Sequence, residues 1–403
     1  LNNKEKMNPA ETHIVTVNAG SSSIKLALFT AGDTPKQILA ARVENIGQSS
    51  ANLIVDNETA SDSSATPVAV TGHIAGAQIL IDLLRRQTPE VIIAAIGHRI
   101  VHGGPKYYKP QIINSQMLAD LRELKPFDPE HLPVEIQLIE EFQKLFPHAK
   151  QVACFDTAFH HDLPTQARLL PIPRHFETKG IRRYGFHGLS YAFILEELRR
   201  VEGRAAANGK VVIAHLGSGA SLAALQDGKP IDTTMGMTPA SGVPMSTRSG
   251  DLDPGIALYL SRSEGYDTEQ FNDMVNFKSG LLGISETTAD MKKLLEIEAD
   301  DERAKDAIDI FCYQVKKSIG SLTAGLGGLN TLVFTGGMGE DAPKIRKRVC
   351  DNLEFLGVTL DTARNQKNAR LISTDGSRVG VHVIHTDEAM TIAREIVKLV
   401  KQH

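Results

Sequence analysis

Two stretches of this chain repeat one design, and that repeat limits the folds open to it. The first is NAGSSSIK, Asn18 to Lys25. Before it runs IVTV (Ile14 to Val17) and after it LALF (Leu26 to Phe29), apolar runs of the kind that form buried strands. Strand, Gly/Ser turn and strand predict a β-hairpin whose tip carries an amide and three hydroxyls, with Gly20 taking an unusual φ at the bend. The second stretch is VVIAHLGSGASLAAL, Val211 to Leu225. Asn18, Gly20 and Ser21 match His215, Gly217 and Ser218 without a gap. The same unit therefore opens each half of the chain. Backbone N–H groups with Asn18, Ser21, Ser23 and Lys25 can converge on an anion, and two facing tips would grip a polyphosphate. This differs from a Walker loop, which seats phosphate on a helix N-terminus. No GxxxxGK[ST], GxGxxG or HRD string occurs, which argues against P-loop, Rossmann and protein-kinase readings.

The 403 residues predict two or more domains with ample core. A net charge of −4, well mixed and without a basic block, points away from nucleic acid and toward small molecules. Cys154, Cys312 and Cys350 show no CxxC spacing, so neither a disulfide framework nor a zinc site is expected. The opening LNNKEKMNPAETH reads as a polar tail with Met7 as a natural start, not as a signal peptide. No apolar stretch approaches the length of a membrane span, and the expected setting is the cytoplasm.

Along the chain, residues 56–66 read as a loop and Ile74 to Arg86 as a helix. VIIAAIG (Val91 to Gly97) is a central strand delivering HRIVHGG at its C-terminal end, where α/β proteins place ligand sites. Arg99 there needs an anion, and a structural salt bridge is the plain alternative to function. Residues 114–146 read as two helices broken at KPFDPEHLP. Asp156 closes the strand QVACF, a frequent place for a carboxylate on the Mg²⁺ side of phosphoryl transfer. RRYGFHGLS (Arg182 to Ser190) precedes a helix from Tyr191 to Val201, and GRAAANGK reads as a linker. Thr233 to Gly255 is a long irregular loop with Arg248 as its strong charge donor and Asp251 and Asp253 as caps for a helix Ile256–Ser261. VFTGGMGED (Val333 to Asp341) ends a strand in glycines that allow close backbone approach to a nucleotide. Val381 to Ala389 reads as the last strand, carrying Glu388, before an amphipathic closing helix.

NAGSSSIK, GHRIVHGG, FDTAFH, RRYGFHG, HLGSGAS, TRSGDLDP and FTGGMGE, in this order across nearly the whole chain, resemble the signatures of the acetate kinase family. That family belongs with the sugar kinases, Hsp70 and actin. The resemblance implies an α/β fold of two duplicated actin-like (ribonuclease H-like) domains with mixed sheets and an interdomain cleft. The implied domains are 12–156 with 388–403, and 157–387 as the nucleotide-binding one. It further implies reversible transfer from ATP to acetate, Mg²⁺ or Mn²⁺ as cofactor, and a homodimer.

Carried over position by position, Arg99, Asp156, His187 and Arg248 are catalytic, with Arg99, Val101, Phe186 and Pro239 binding the substrate. Ser21, Ser23, Lys25, His215, Gly217, Ser218, Gly219, Asp290, Lys292, Gly336, Gly337, Met338, Gly339 and Asp341 bind ATP. Asn18 and Glu388 serve the metal, and His131 lies near the reacting groups. The chain departs from the common pattern at Ser218, Asp341, Lys292, Glu130, Leu189 and Tyr191, and in ASGVPMS; these changes bear on acyl and nucleotide preference. Alternatives are a propionate or other short-chain acyl kinase, a sugar kinase using Asp156 as base, or an actin- or Hsp70-like nucleotide switch.

Overall fold

The computed structural model describes residues 12–20, 22–47, 50–56 and 64–402. Ser21, expected at the first phosphate loop, lies outside the described residues, as does most of the expected loop 56–66. The chain forms two compact units. The first ends at Ala158 and takes in the chain again from Asp387; the second is Phe159–Thr386.

The first unit holds a mixed sheet of β1 (Thr12–Ala19), β2 (Ser23–Thr30), β3 (Gln37–Glu44), β4 (Asn52–Asp56), β5 (Ser64–Pro67), β6 (Ile92–Ile100), β7 (Gln111–Ile112) and β8 (Lys150–Phe155). Its order is β5-β4-β3-β2-β1-β6-β8-β7. β1 pairs antiparallel with β2 and parallel with β6. β1 is buried at six of its eight positions, as a strand covered on both faces is. Leu80 and Leu84 of the helix His73–Gln87, with Leu138 and Phe142 of the helix Leu132–Leu145, pack against Val15, Val17, Leu26 and Leu28. Each such fully buried side chain contributes about 2–3 kcal/mol. The closing helix Glu388–Gln402 lies so tightly on β6 that a Cβ on Gly97 would collide with Ile392 and Ile396.

The second unit holds β9 (Val211–Leu216), β10 (Ala220–Gln226), β11 (Lys229–Thr233), β12 (Thr331–Thr335) and β13 (Gly380–Val383), in the order β11-β10-β9-β12-β13. β10 is antiparallel to β9 and β11, while β12 is parallel to β9 and β13. The segment β3-β2-β1-β6-β8 has the same order and directions. The α/β class and the duplicated mixed sheets expected from the sequence are both present.

Several local expectations are corrected. β6 runs on through Ile100, so His98 and Arg99 lie within the strand and not beyond it. The helix after FHG spans Gly188–Asn208, taking in most of the expected linker; Gly203 (φ 84°, ψ 175°) breaks its path. The last strand stops at Val383, and Glu388 opens the closing helix. Residues 64–66 of the expected loop belong to β5. Asp253 accepts the Gly255 N–H at the helix start, but Asp251 accepts Gly242 N–H and pins the long loop instead. Gly20 is not among the left-handed residues; its N–H donates to Ser23 O at 2.8 Å without a positive φ.

Candidate active site

In the first unit the strand ends gather four sequence-predicted residues. β6 carries Arg99, β8 hands the chain to Asp156, β1 carries Asn18, and the closing helix begins at Glu388. Arg99 donates from Nη2 and Nε to the same oxygen, Asp156 Oδ2, at 2.6 and 2.9 Å. Its Nη1 donates to Asn18 Oδ1 and Ala19 O, each at 3.2 Å. Asn18 Nδ2 donates to Glu388 Oε2 at 2.6 Å, and Arg99 Nε lies 3.9 Å from that same oxygen. Asp156 is fully buried. Burial, with help from Glu388 and against the pull of Arg99, leaves its carboxyl pushed up to about 6. Burial also works against the Arg99 charge, but Asp156 and Glu388 outweigh it and hold the guanidinium above its ordinary value.

Since both Arg99 donors converge on Oδ2, Asp156 Oδ1 is left buried without a hydrogen-bond partner. A buried anionic oxygen with no donor demands an explanation, and a cation or its water shell supplies one. Among the described residues no three His, Cys, Asp or Glu side chains form a metal cage. Two carboxylates fit Mg²⁺, which keeps waters and takes its remaining ligands from substrate phosphates. His131 Nδ1 lies 2.8 Å from Asp128 Oδ1.

In the second unit, His187 is the N-cap of the helix Gly188–Asn208 and holds a left-handed backbone (φ 58°, ψ 25°). Such a conformation in a non-glycine residue persists only where the surroundings enforce it. His187 Nδ1 lies 2.8 Å from Ser221 Oγ, and its ring stacks on His215 with centroids 4.3 Å apart. His215 Nδ1 lies 2.9 Å from Ser190 Oγ. At the second hairpin tip, a Cβ built on Gly219 would stand 3.2 Å from His187 Nε2 and 3.7 Å from Arg248 Nη1. The glycine thus makes room where a histidine and an arginine meet. Arg248 Nη1 donates to Pro239 O at 3.4 Å, tying that residue to the same corner.

The glycine-rich loop follows β12. Gly336 has φ 75°, and a Cβ there would meet Leu216 O at 2.8 Å, so only glycine fits beside β9. Glu340 holds the turn: Oε1 accepts from Thr335 Oγ1, Gly336 N and Thr386 N, and Oε2 lies 2.8 Å from His385 Nδ1. Arg346, fully buried, donates to Gly339 O and Glu340 O behind it.

Other expected residues are placed as follows. Val101 is buried, and its N–H donates to both oxygens of Glu135 at 3.1 and 3.2 Å. Burial and Asp128 raise the Glu135 carboxyl well above its usual range, against the pull of Arg99. Phe186 is buried, with its carbonyl facing His160 Nε2. Ser23 and Lys25 lie on β2, where Lys25 pairs with Asn18. Gly217 N–H donates to Gly219 O, and Ser218 O accepts from Ser246 N. Gly337, Met338 and Asp341 lie on the short helix Gly337–Asp341. Asp290 caps the helix Met291–Ile297 by accepting the Lys292 N–H. Sequence reasoning missed Glu135, Ser190, Ser221, Glu340 and Arg346. Only the spacing of Glu340 behind the glycines offered a signal, as a carboxylate able to fold back on a turn.

A family model described as the Acetokinase family matches residues 13–394. The acetate kinase of Rhodopseudomonas palustris (strain TIE-1) is 41% identical over 391 residues, covering 96% of this chain and 98% of that protein. A propionate kinase from Francisella tularensis superposes with a TM-score of 0.88 at 35% identity, covering 95% of this chain and 98% of its own. Porphyromonas gingivalis acetate kinase gives 0.85 at 32%, covering 96% and 100%. With its two like-ordered sheets and its Arg99, His187 and Arg248 side chains, this chain belongs to the acetokinase family, the ATP-dependent phosphotransferases that act on a carboxyl group.

Proposed function

We propose that the chain transfers the γ-phosphoryl group of ATP to acetate, giving acetyl phosphate and ADP, and runs the reverse reaction. The observation that carries this reading is the Arg99–Asp156–Glu388 cluster with its unpartnered Asp156 Oδ1. Acetate is already ionised at neutral pH and needs no general base. Its obstacle is approach to an anionic phosphate, so catalysis is positioning and charge neutralisation. One carboxylate oxygen attacks the γ-phosphorus in line, and the bond to the β,γ-bridging oxygen breaks as ADP leaves. Arg99 holds the acceptor carboxylate. Arg248 and His187 Nε2 neutralise the equatorial oxygens. Val101, Phe186 and Pro239 wall the methyl group. The second hairpin and the Gly336–Gly339 turn hold the nucleotide, with Ser21, Ser23 and Lys25 on its phosphates. Asp156 and Glu388 would hold Mg²⁺, steadied by Asn18, and the ion supplies charge neutralisation to the phosphate tail when bound.

The propionate kinase likeness favours propionate as the second reading. A hydroxamate assay for acyl phosphate across acetate, propionate and butyrate decides between them. Acetate is expected to give the largest kcat/KM; no acyl phosphate from any of the acids would overturn the proposal.

The same reading includes a homodimer joined through the second unit. The helix Gly255–Ser263 buries no residue in the single chain, and Leu258 and Tyr259 are 53% and 61% exposed. Light scattering is expected to find a dimer that Tyr259→Asp weakens. A cytoplasmic setting agrees with three free, buried cysteines.

A further inference from the structure

The string that carries His187 reads FHGLSY in this chain, and Tyr191, one of the departures from the common pattern, closes it. Its side chain is fully buried. It lies one helical turn beyond His187 and faces the same side of the helix. The phenol oxygen is 2.5 Å from Ser221 Oγ, and Ser221 Oγ is 2.8 Å from His187 Nδ1. Ser221 is itself fully buried and sits on β10 opposite His215. Phenol, hydroxyl and imidazole thus form one closed line of hydrogen bonds.

The order of protons along that line follows from acidity. A phenol is a stronger donor than an alcohol, and burial holds the Tyr191 hydroxyl in its protonated form. Tyr191 therefore donates to Ser221 Oγ. Ser221 has one hydrogen to give, and its other near neighbour on the line is Nδ1. With Nδ1 accepting, the proton of neutral His187 sits on Nε2, the nitrogen beside Gly219 and Arg248.

We propose that Tyr191 is a positioning residue, which acts through Ser221 to fix His187 with its N–H on Nε2, aimed at the transferring phosphoryl group. This rests on the role given to His187 above. Without the phenol, Ser221 is free to turn and accept from Nδ1–H, and His187 divides between two tautomers.

The test uses the full chain. Long-range ¹H–¹⁵N correlation spectra, with His187 assigned through His187→Gln, are expected to show the Nε2–H tautomer in the parent and a mixture in Tyr191→Phe. Kinetics are expected to show kcat lowered about tenfold in Tyr191→Phe with the KM for ATP held within about twofold, since the residue acts through the histidine and not on the nucleotide. Tyr191→His is expected to recover most of the loss, which a mere packing role would not allow. Ser221→Ala, keeping the phenol, breaks the line from its other end and is expected to lower kcat as far. A parent enzyme with His187 protonated on Nδ1, or unchanged kcat in Tyr191→Phe or Ser221→Ala, overturns the proposal. His187→Ala with normal turnover instead rejects the catalytic role of His187, a separate failure.

Discussion

The two hairpins were expected to be copies, and the structure makes them cousins. In the first, the last cross-strand pair is Ala19–Ile24, and Gly20 N–H reaches Ser23 O. In the second, the last pair is Leu216–Ala220, and Gly217 N–H reaches Gly219 O. The gapless match of the sequences therefore holds through the outgoing strand and fails by one residue on the return. That slip moves every later side chain to the other face of the sheet. Ser221 consequently turns toward His187, whereas Ile24, its counterpart in a gapless alignment, is core. The difference also divides the chemistry. The strands beside the first hairpin supply carboxylates and one arginine; the second hairpin sits among histidines and another arginine.

If both clusters serve one reaction, their arginines have equal weight. Arg99→Ala and Arg248→Ala are each expected to lower kcat by about 10³, as phosphoryl-stabilising arginines do. Steady-state ADP release measures this, and a large loss in only one variant would break the symmetry. Acid treats the two units alike. His98 beside Gln151 in the first, and His160 beside Phe186 O in the second, are both pushed down to about 4 by burial. Each is neutral in the native state and charges on unfolding below its ordinary 6.5. Stability is therefore complete above pH 6.5 and lost as pH falls toward about 4, by up to about 3 kcal/mol per histidine. Urea unfolding at a series of pH values reads the slope, and His160→Gln is expected to remove its share.

The hairpin tips themselves differ in what they adjoin. A Cβ at Gly219 would stand 3.2 Å from His187 Nε2, while one at Gly20 would stand 3.2 Å from the movable Ser23 Oγ. Gly219→Ala is expected to cost about 10–100-fold in kcat, or about 1.4–2.7 kcal/mol, with little change in melting temperature. Gly20→Ala is expected to cost far less in the same assay. The smallest effect lies where only the first sheet continues past the shared strands, at the β3–β4 edge. Arg42 bridges Glu44 and Asp56 across β3 and β4 and is 27% exposed. Arg42→Ala is expected to cost less than about 1 kcal/mol in chemical denaturation.

What the sequence revealed and what it hid divide along a physical line. Buried strands announce themselves by continuous apolar runs, as Ile92–Ile100 does, and glycine turns by their composition. Arg99 and Asp156 were legible because charges beside such runs need partners. The partners' geometry was not legible. Nothing local says that Arg99 would give both donors to Asp156 Oδ2, or that Glu135 would take the Val101 N–H. Gly20 misled because a tip glycine suggests a left-handed turn, while Gly20 itself has no positive φ. Glu388 was read into a strand because it follows the β-branched VHVI closely, yet pairing with β12 ends at Val383 and Glu388 starts the next element.

The closing helix has a consequence for synthesis. Chains leave the ribosome N-terminus first, and domains commonly fold in that order. Here Ile392 and Ile396, which lie against Gly97 on β6, are made almost 300 residues later. The first unit must therefore wait, with that face of its sheet bare, until the second has been translated. Glu388 arrives on the same helix, so no nascent chain carries a finished Arg99 cluster before the first turn of that helix has been made. A translation pause placed ahead of residue 387 would prolong the exposure of that face.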